Sequence, residues 1–328
     1  MVLMLSRSDI KKLITMPEAI DALRRAFAEL SRGQAAMPVR SVILIPEHDG
    51  WFGVMPAYLF GSGALGLKSV TVFKGNPARG MPSTLGLTLL LDPTTGVPLS
   101  VMEAGYLTGI RTAAASGVAT TLLAKEDARE LAILGAGGQG RFHLTAMTTV
   151  RPIERVRVFD ASRENAERYR QEMQPTTSAT IEVVNSPEEA VRGADVVVTT
   201  STSKTPIVEL PWLKPGAHIN GVGSHAPGVR EIAGAVIAKA RVVVDSRDAA
   251  LQEAGDLMMP IADGLVTAQQ LSDELGEVVE GLKPGRSSPD QITLYKSVGI
   301  AIQDMAVANL VYQKALAAKV WTEVELLA

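Results

Sequence analysis

Hydrophobic positions change their period twice along the chain. Behind Pro17, a residue suited to a first helical turn, Ile20, Leu23, Phe27 and Leu30 recur every three or four residues until Gly33. That spacing predicts a helix with one apolar face, preceded by a short helix over 9–14. From about 38 to 102 the pattern changes. Ser41–Ile45, Gly53–Leu59, Leu65–Phe73 and Leu85–Leu91 read as strands, and Asp92-Pro-Thr-Thr-Gly96 as the turn into a returning strand, Val97–Met102. Strands in direct succession predict an antiparallel sheet. A helix follows from Tyr106 to Ala124, rich in Ala, Gly, Ser and Thr, whose small side chains permit close approach to a neighbour.

After Asp127 short apolar runs alternate with helical stretches: strand 131–134, helix 139–149, strand 156–159, helix 163–173, strand 181–184, helix 188–191 and strand 196–200. Strand 217–222, helix 232–239 and strand 242–245 bring the total to about six parallel strands, an α/β doubly wound sheet. Thr267 is predicted to cap a helix to about Glu280. Residues 283–290 read as a loop, 292–295 as a strand, and Ser297 as the cap of a long helix to about Lys319.

One stretch carries recognisable chemistry. Leu131-Ala-Ile-Leu-Gly-Ala-Gly-Gly-Gln-Gly140 joins an apolar strand to a helix, and Arg155–Phe159 is a second strand ending in Asp160. Glycines at 135, 137 and 140 with an acid 20 residues later match the dinucleotide-binding fingerprint. Gly135 serves the tight turn, Gly137 the approach of backbone to pyrophosphate, Gly140 the contact of helix with strand. Gly138 and Gln139 open the helix whose N–H groups would receive the phosphates. Asp160 would accept from ribose hydroxyls, which favours NAD, while Arg163 leaves NADP open. The hydroxyl-rich run from Thr199 to Ser203, including Thr200 and Ser201, ends the next strand and is a candidate for the nicotinamide ribose. Val222 ends the strand after it.

Composition narrows the field. The 328 residues are 46% hydrophobic and 20% charged with a net charge of −3, so neither nucleic acid nor a membrane surface is an expected partner. No apolar run reaches transmembrane length. Cysteine is absent, which excludes disulfides and thiolate chemistry and suits a cytoplasmic protein. The four histidines are not spaced as a metal pair. His143 lies inside the first helix of the fingerprint and reads as packing. A nicotinamide enzyme needs groups that place its substrate and manage a proton. Arg40 at a strand start, Lys68 alone in the apolar strand Leu65–Val70, and Arg111 amid Gly109-Ile-Arg-Thr-Ala113 are the cations that could hold a carboxylate. His225, in the glycine-rich segment after strand 217–222, could deliver a proton or bind a second carboxylate.

Taken together these motifs carry a resemblance. Lys68 in its strand, Pro82–Gly86, the Asp92–Gly96 turn, Leu107–Ala113, Gly135–Gln139, Ile219–Pro227, Leu275–Val278 and Tyr295–Gly299, in this order, resemble the ornithine cyclodeaminase/mu-crystallin family nearly end to end. The resemblance implies a Rossmann NAD(P) domain over 116–304, inserted into an α+β substrate and dimerisation domain made of 1–115 and 305–328, in a homodimer. It implies that Arg40, Lys68 and Arg111 match the positions that hold the substrate carboxylate. Thr84 and Arg111 match positions near the cofactor phosphates, and Ser297 one near the nicotinamide. Two departures stand out. His225 replaces the aspartate of the cyclodeaminases and alanine dehydrogenases, and Met55 stands before Pro56 where the family carries an acid. Both remove partners for an ammonium group. The expectation is therefore an NAD(P)H-dependent reductase of an α-imino acid (a ketimine, or iminosuccinate giving aspartate) or the reverse dehydrogenase, with Lys68, Arg111 and His225 at the chemistry. An ornithine or lysine cyclodeaminase, and a nucleotide-dependent binding protein without turnover, are the alternatives.

Overall fold

The computed structural model describes residues 1–271 and 273–325, which form two compact units: Met1–Arg111 with Ile300–Ala328, and Thr112–Gly299. The first unit opens with a strand, β1 (Val2–Leu5), too short for its period to be read from sequence. Helices α1 (Arg7–Leu13) and α2 (Met16–Ser31) each start on a capping box, Ser6 with Asp9 and Thr15 with Glu18. The α2 face predicted from spacing is buried at Ile20, Leu23 and Phe27. Next come β2 (Ala35–Ala36), β3 (Ser41–Ile45), β4 (Gly50–Leu59), β5 (Ala64–Phe73), β6 (Thr84–Leu91) and β7 (Pro98–Glu103). Strands β4 to β7 are antiparallel in sequence order, β3 and β2 both pair with β4, and β1 joins β7 in parallel. Helix α3 (Ala104–Leu123) then carries the chain across the boundary of the units.

The second unit alternates strand and helix: β8 (Glu130–Leu134), α4 (Gly138–Val150), β9 (Arg155–Phe159), α5 (Arg163–Met173), β10 (Thr180–Val183), α6 (Pro187–Val191), β11 (Val196–Thr199) and β12 (His218–Gly221). It continues through α7 (Gly234–Lys239), β13 (Arg241–Val244), α8 (Arg247–Glu253), α9 (Gly255–Ala262), β14 (Asp273–Glu274), α10 (Leu275–Val279) and β15 (Thr293–Lys296). All pair in parallel in the order β10-β9-β8-β11-β12-β15-β13-β14, eight strands among the described residues where about six were expected. Strands β11, β12 and β15 are buried at every position, as a sheet covered on both faces requires. The order reverses between β8 and β11, and the crevice at the carboxyl ends of these strands is where such sheets take ligands.

The chain then returns to the first unit as α11 (Ala301–Ala318) and β16 (Thr322–Val324), the latter antiparallel to β1. Helix α11 lies against α2, β4 and β5.

Two sequence expectations are corrected. No helix runs from Thr267 to Glu280. Residues 273 and 274 add a strand beside β13, and the Glu274–Glu277 capping box starts α10 only at Leu275. Ser297 does not cap the last helix. Its hydroxyl donates to Asp245 at 3.1 Å, and α11 begins at Ala301 after Gly299, which takes φ +78°.

Candidate functional site

Strand β5 alternates with its inward face at Ala64, Gly66, Lys68 and Val70. Lys68 therefore projects into the unit and is 2% exposed. Gly66 marks why a helix fits over this face: a Cβ there would collide with the Leu89 carbonyl and stand 3.0 Å from Met305 Sδ. The same helix, α11, brings Asp304 to Lys68. The ammonium lies 3.0 and 2.9 Å from the two carboxylate oxygens. Arg111, on α3, places Nε 3.0 Å from Asp304 Oδ1 and donates from Nη1 to Gln303 Oε1. Asp304 is fully buried and Arg111 nearly so. Asp304 sits in the first turn of α11, where the helix dipole favours a carboxylate.

Burial pushes the Lys68 ammonium down to about 7, and the like charges of Arg111 and Arg40 push the same way, against Asp304. The half-buried Arg40 is thus felt at Lys68. Opposite Lys68 in the β4–β5 register stands Met55, 2% exposed and apolar. Thr84, the first residue of β6, faces Val72 in the sheet.

In the second unit the fingerprint glycines occupy their predicted positions. Gly135 takes φ +108°, and a Cβ there would lie 2.7 Å from the Thr200 carbonyl carbon and oxygen. A Cβ on Gly140 would collide with the Gly135 carbonyl, whereas Gly137 and Gly138 face open space. No side chain caps the N-terminus of α4. A turn that only glycine permits, open glycines at the start of a 13-residue helix, and uncapped amides fit a dinucleotide pyrophosphate. Gln139 is half-buried in the first turn. Asp160 follows the next strand and accepts from the amides of Ala136 and Ser162, both at 2.9 Å, so it ties the turn to β9.

Thr200 donates its hydroxyl to the Gly135 carbonyl at 3.0 Å, joining the ends of β8 and β11. The Ser201 hydroxyl does not point outward. It donates to buried Glu231 at 2.6 Å. The Val222 amide donates to the Thr199 carbonyl at 3.0 Å. His225 is exposed in the segment after β12, with Nδ1 3.0 Å from the Gly223 carbonyl. A carbonyl only accepts, so Nδ1 carries the hydrogen and Nε2 is where a second proton enters. The Ser297 amide donates to the Gly221 carbonyl, which sets Ser297 beside the end of β12. His143 is packing, as expected: it is buried, with Nε2 3.0 Å from the Ser116 hydroxyl and Nδ1 2.8 Å from the Gln139 carbonyl.

Sequence reasoning missed Gln303 and Asp304, although two adjacent polar residues in the apolar run Ala301–Ala308 were a signal. It also missed a buried acidic set in the second unit. Asp256 holds the amides of Glu231 and Ile232 at 2.7 and 3.0 Å and pairs with Lys296 at 2.9 Å, both side chains being fully buried. Asp245 accepts from the amides of Val298 and Gly299. Lys296, a cation at the end of a buried strand, gave a weaker form of the signal that singled out Lys68. Among the described residues no cluster of His, Asp and Glu could hold a metal, and no helix is long and apolar enough to cross a membrane.

A doubly wound dinucleotide-type unit, interrupting in sequence a sheet unit with buried cations, defines the class of protein. The chain belongs to the ornithine cyclodeaminase/mu-crystallin family, whose model matches residues 1–319. It is 38% identical over 325 residues to a Delta(1)-pyrroline-2-carboxylate reductase of Bacillus cereus, covering 99% of this chain and 100% of that one. Its fold matches the Thermococcus litoralis Delta(1)-pyrroline-2-carboxylate reductase in complex with NADH and L-proline, with a TM-score of 0.97, 42% identity, and 98% and 100% of the two chains covered. It also matches an archaeal alanine dehydrogenase dimer with bound NAD, with a TM-score of 0.93, 35% identity and 99% of each chain covered.

Proposed function

We propose that this protein is an NADH-dependent reductase of an α-imino acid, with a cyclic ketimine carboxylate as its substrate class. The observation that carries the reading is the buried set of Lys68, Arg111 and Asp304. Two buried cations share one fixed carboxylate, and the charge of Arg40 also reaches Lys68. A substrate carboxylate offsets the remaining positive charge, and the bidentate geometry of a guanidinium suits it. Met55 opposite Lys68 gives an ammonium group no partner, which disfavours ornithine or lysine as substrate. The relatives that reduce pyrroline-2-carboxylate, and the neighbour holding L-proline, support a ring imine.

The dinucleotide's phosphates are assigned to the amides at Gly137, Gly138 and Gln139. Its adenosine ribose is assigned to Asp160, whose carboxylate disfavours the extra phosphate of NADP. Thr200, Ser201, Val222 and Ser297 are assigned to its nicotinamide end. When bound, the dihydronicotinamide supplies the hydride taken up by the imine carbon. Lys68 and Arg111 orient the carboxylate and so fix which carbon is presented, a contribution of position more than of chemistry. His225 delivers a proton from Nε2 to the imine nitrogen, completing the amine. The test is NADH oxidation by the purified protein with Delta(1)-pyrroline-2-carboxylate, its six-membered homologue and iminosuccinate. Turnover of a ring imine is expected. Absence of oxidation with all three overturns the reading, and ammonia release from ornithine without net NADH change points to a cyclodeaminase instead.

We further propose a homodimer. Much of the apolar surface of α11 is buried within its own unit, at Ile302, Met305, Val307, Ala308 and Val311. The sheet is different: Val42, Ile43 and Leu44 of β3 are 46, 62 and 70% exposed, and Leu85 and Leu87 of β6 are also exposed. A contiguous apolar strand left in water marks an association surface, and an alanine dehydrogenase of the same fold is a dimer.

A further inference from the structure

Glu231 is a heavily bonded acid outside the carboxylate site. It is fully buried, and its carboxylate joins two separate segments. Oε1 accepts from the amide of Ser201 at 2.7 Å and from its hydroxyl at 2.6 Å. Oε2 accepts from the amide of Gly223 at 2.8 Å. Ser201 follows β11 and Gly223 follows β12, adjacent strands of the sheet. The approach is close enough to demand glycine: a Cβ at position 223 would collide with the Ser201 carbonyl and lie 2.5 Å from the Glu231 carboxyl. Glu231 is itself fixed. Its amide donates to Asp256, whose other oxygen pairs with Lys296 at the end of β15, next to Ser297.

Burying a carboxylate is costly, and an apolar side chain of equal volume would pack two segments together without that cost. What a carboxylate adds is acceptance from both segments at once, which sets their spacing to within a hydrogen bond. The Ser201 hydroxyl is committed on both sides, donating to Glu231 and accepting from the Ser203 amide at 3.1 Å.

We propose that Glu231 is a positioning residue that clamps the segments after β11 and β12 into the shape that receives the nicotinamide end of the dinucleotide. The inference rests on the cofactor reading above. It separates two halves of one ligand. The adenosine diphosphate half is assigned to the glycine turn and Asp160, and Glu231 bonds to neither.

The test is titration of the full-length protein with NADH and with ADP-ribose, which lacks the nicotinamide. Glu231→Gln keeps the volume but turns an amide donor toward the N–H of Ser201 or Gly223, a donor–donor conflict. It is expected to weaken NADH about tenfold, the scale of one buried donor left unpaired, and to leave ADP-ribose binding unchanged. Ser201→Ala removes one bond while sparing the backbone clamp. It is expected to fold and to weaken NADH alone by roughly threefold, a smaller loss of the same kind. Equal weakening of both ligands, or no change in either variant, overturns the clamp. If the unaltered protein binds ADP-ribose but not NADH, the assignment of the nicotinamide end falls and the clamp's role with it. If it binds neither, the cofactor reading itself falls.

Discussion

Lys68 is the residue whose charge state would set the reach of the proposed carboxylate site. Its ammonium is held down to about 7 by burial and by Arg111 and Arg40. Below pH 7 the side chain is protonated and attracts a carboxylate; above it the free amine does not, so binding weakens as pH rises. Pyrrole-2-carboxylate, whose ring nitrogen does not titrate near neutrality, is a suitable probe. Its Kd is expected to be flat below about pH 7 and to climb above it, by up to about tenfold per unit. A Kd unchanged from acid to alkaline pH in the unaltered protein would sink the assignment. Lys68→Met should remove the pH dependence and weaken the probe by about a hundredfold, the scale for truncating one partner of a buried charged pair. NADH affinity, measured alongside, is expected not to follow this profile.

At the scale of elements, the turn between β8 and α4 is a tightly constrained point of the second unit. Gly135 combines φ +108° with a wall of Thr200 backbone at 2.7 Å. Gly135→Ala is therefore expected to cost about 3 kcal/mol in chemical denaturation and to abolish NADH binding, since strain and collision act together. Wild-type stability in that variant would refute the geometry. This turn was legible in the sequence because its chemistry is local: a glycine pattern, a strand and a helix in one short run of chain. The amphipathic face of α2 and the alternation of β5 were legible for the same reason. What escaped depended on distant partners. Strand β1 exists because β7 and β16 pair with it, and neither neighbour is near it in sequence. The helix expected from Thr267 gives way to β14 because the edge of β13 is available to residues 273 and 274. Ser297 was given the role of a cap, yet Asp245, 52 residues earlier, takes its hydroxyl. Likewise Lys68 and Arg111 could be chosen from sequence, but the carboxylate that neutralises them could not, because it arrives from the far end of the chain.

At the scale of the whole molecule, association should depend on the exposed edge of the first sheet. Leu44→Asp places a charge at the most exposed apolar position of β3 and is expected to shift the protein from dimer to monomer in sedimentation, with little loss of folding within the protomer. A monomeric unaltered protein, or a dimer indifferent to this change, would refute the proposed surface. The long-range pairing within the first unit has a consequence for how the chain comes into being. Lys68 and Asp304 lie 236 residues apart. On a ribosome, the strands carrying Lys68 emerge long before the helix that neutralises it. Until then a cation destined for burial must stay in water, and the face of β5 that α11 covers stays open. The nucleotide-type unit, continuous in sequence, is free to complete itself during that interval. The first unit's maturation is thereby timed by α11, made after the whole nucleotide-type unit, and a protein stalled before Asp304 would hold its dinucleotide fold without a finished set of Lys68, Arg111 and Asp304.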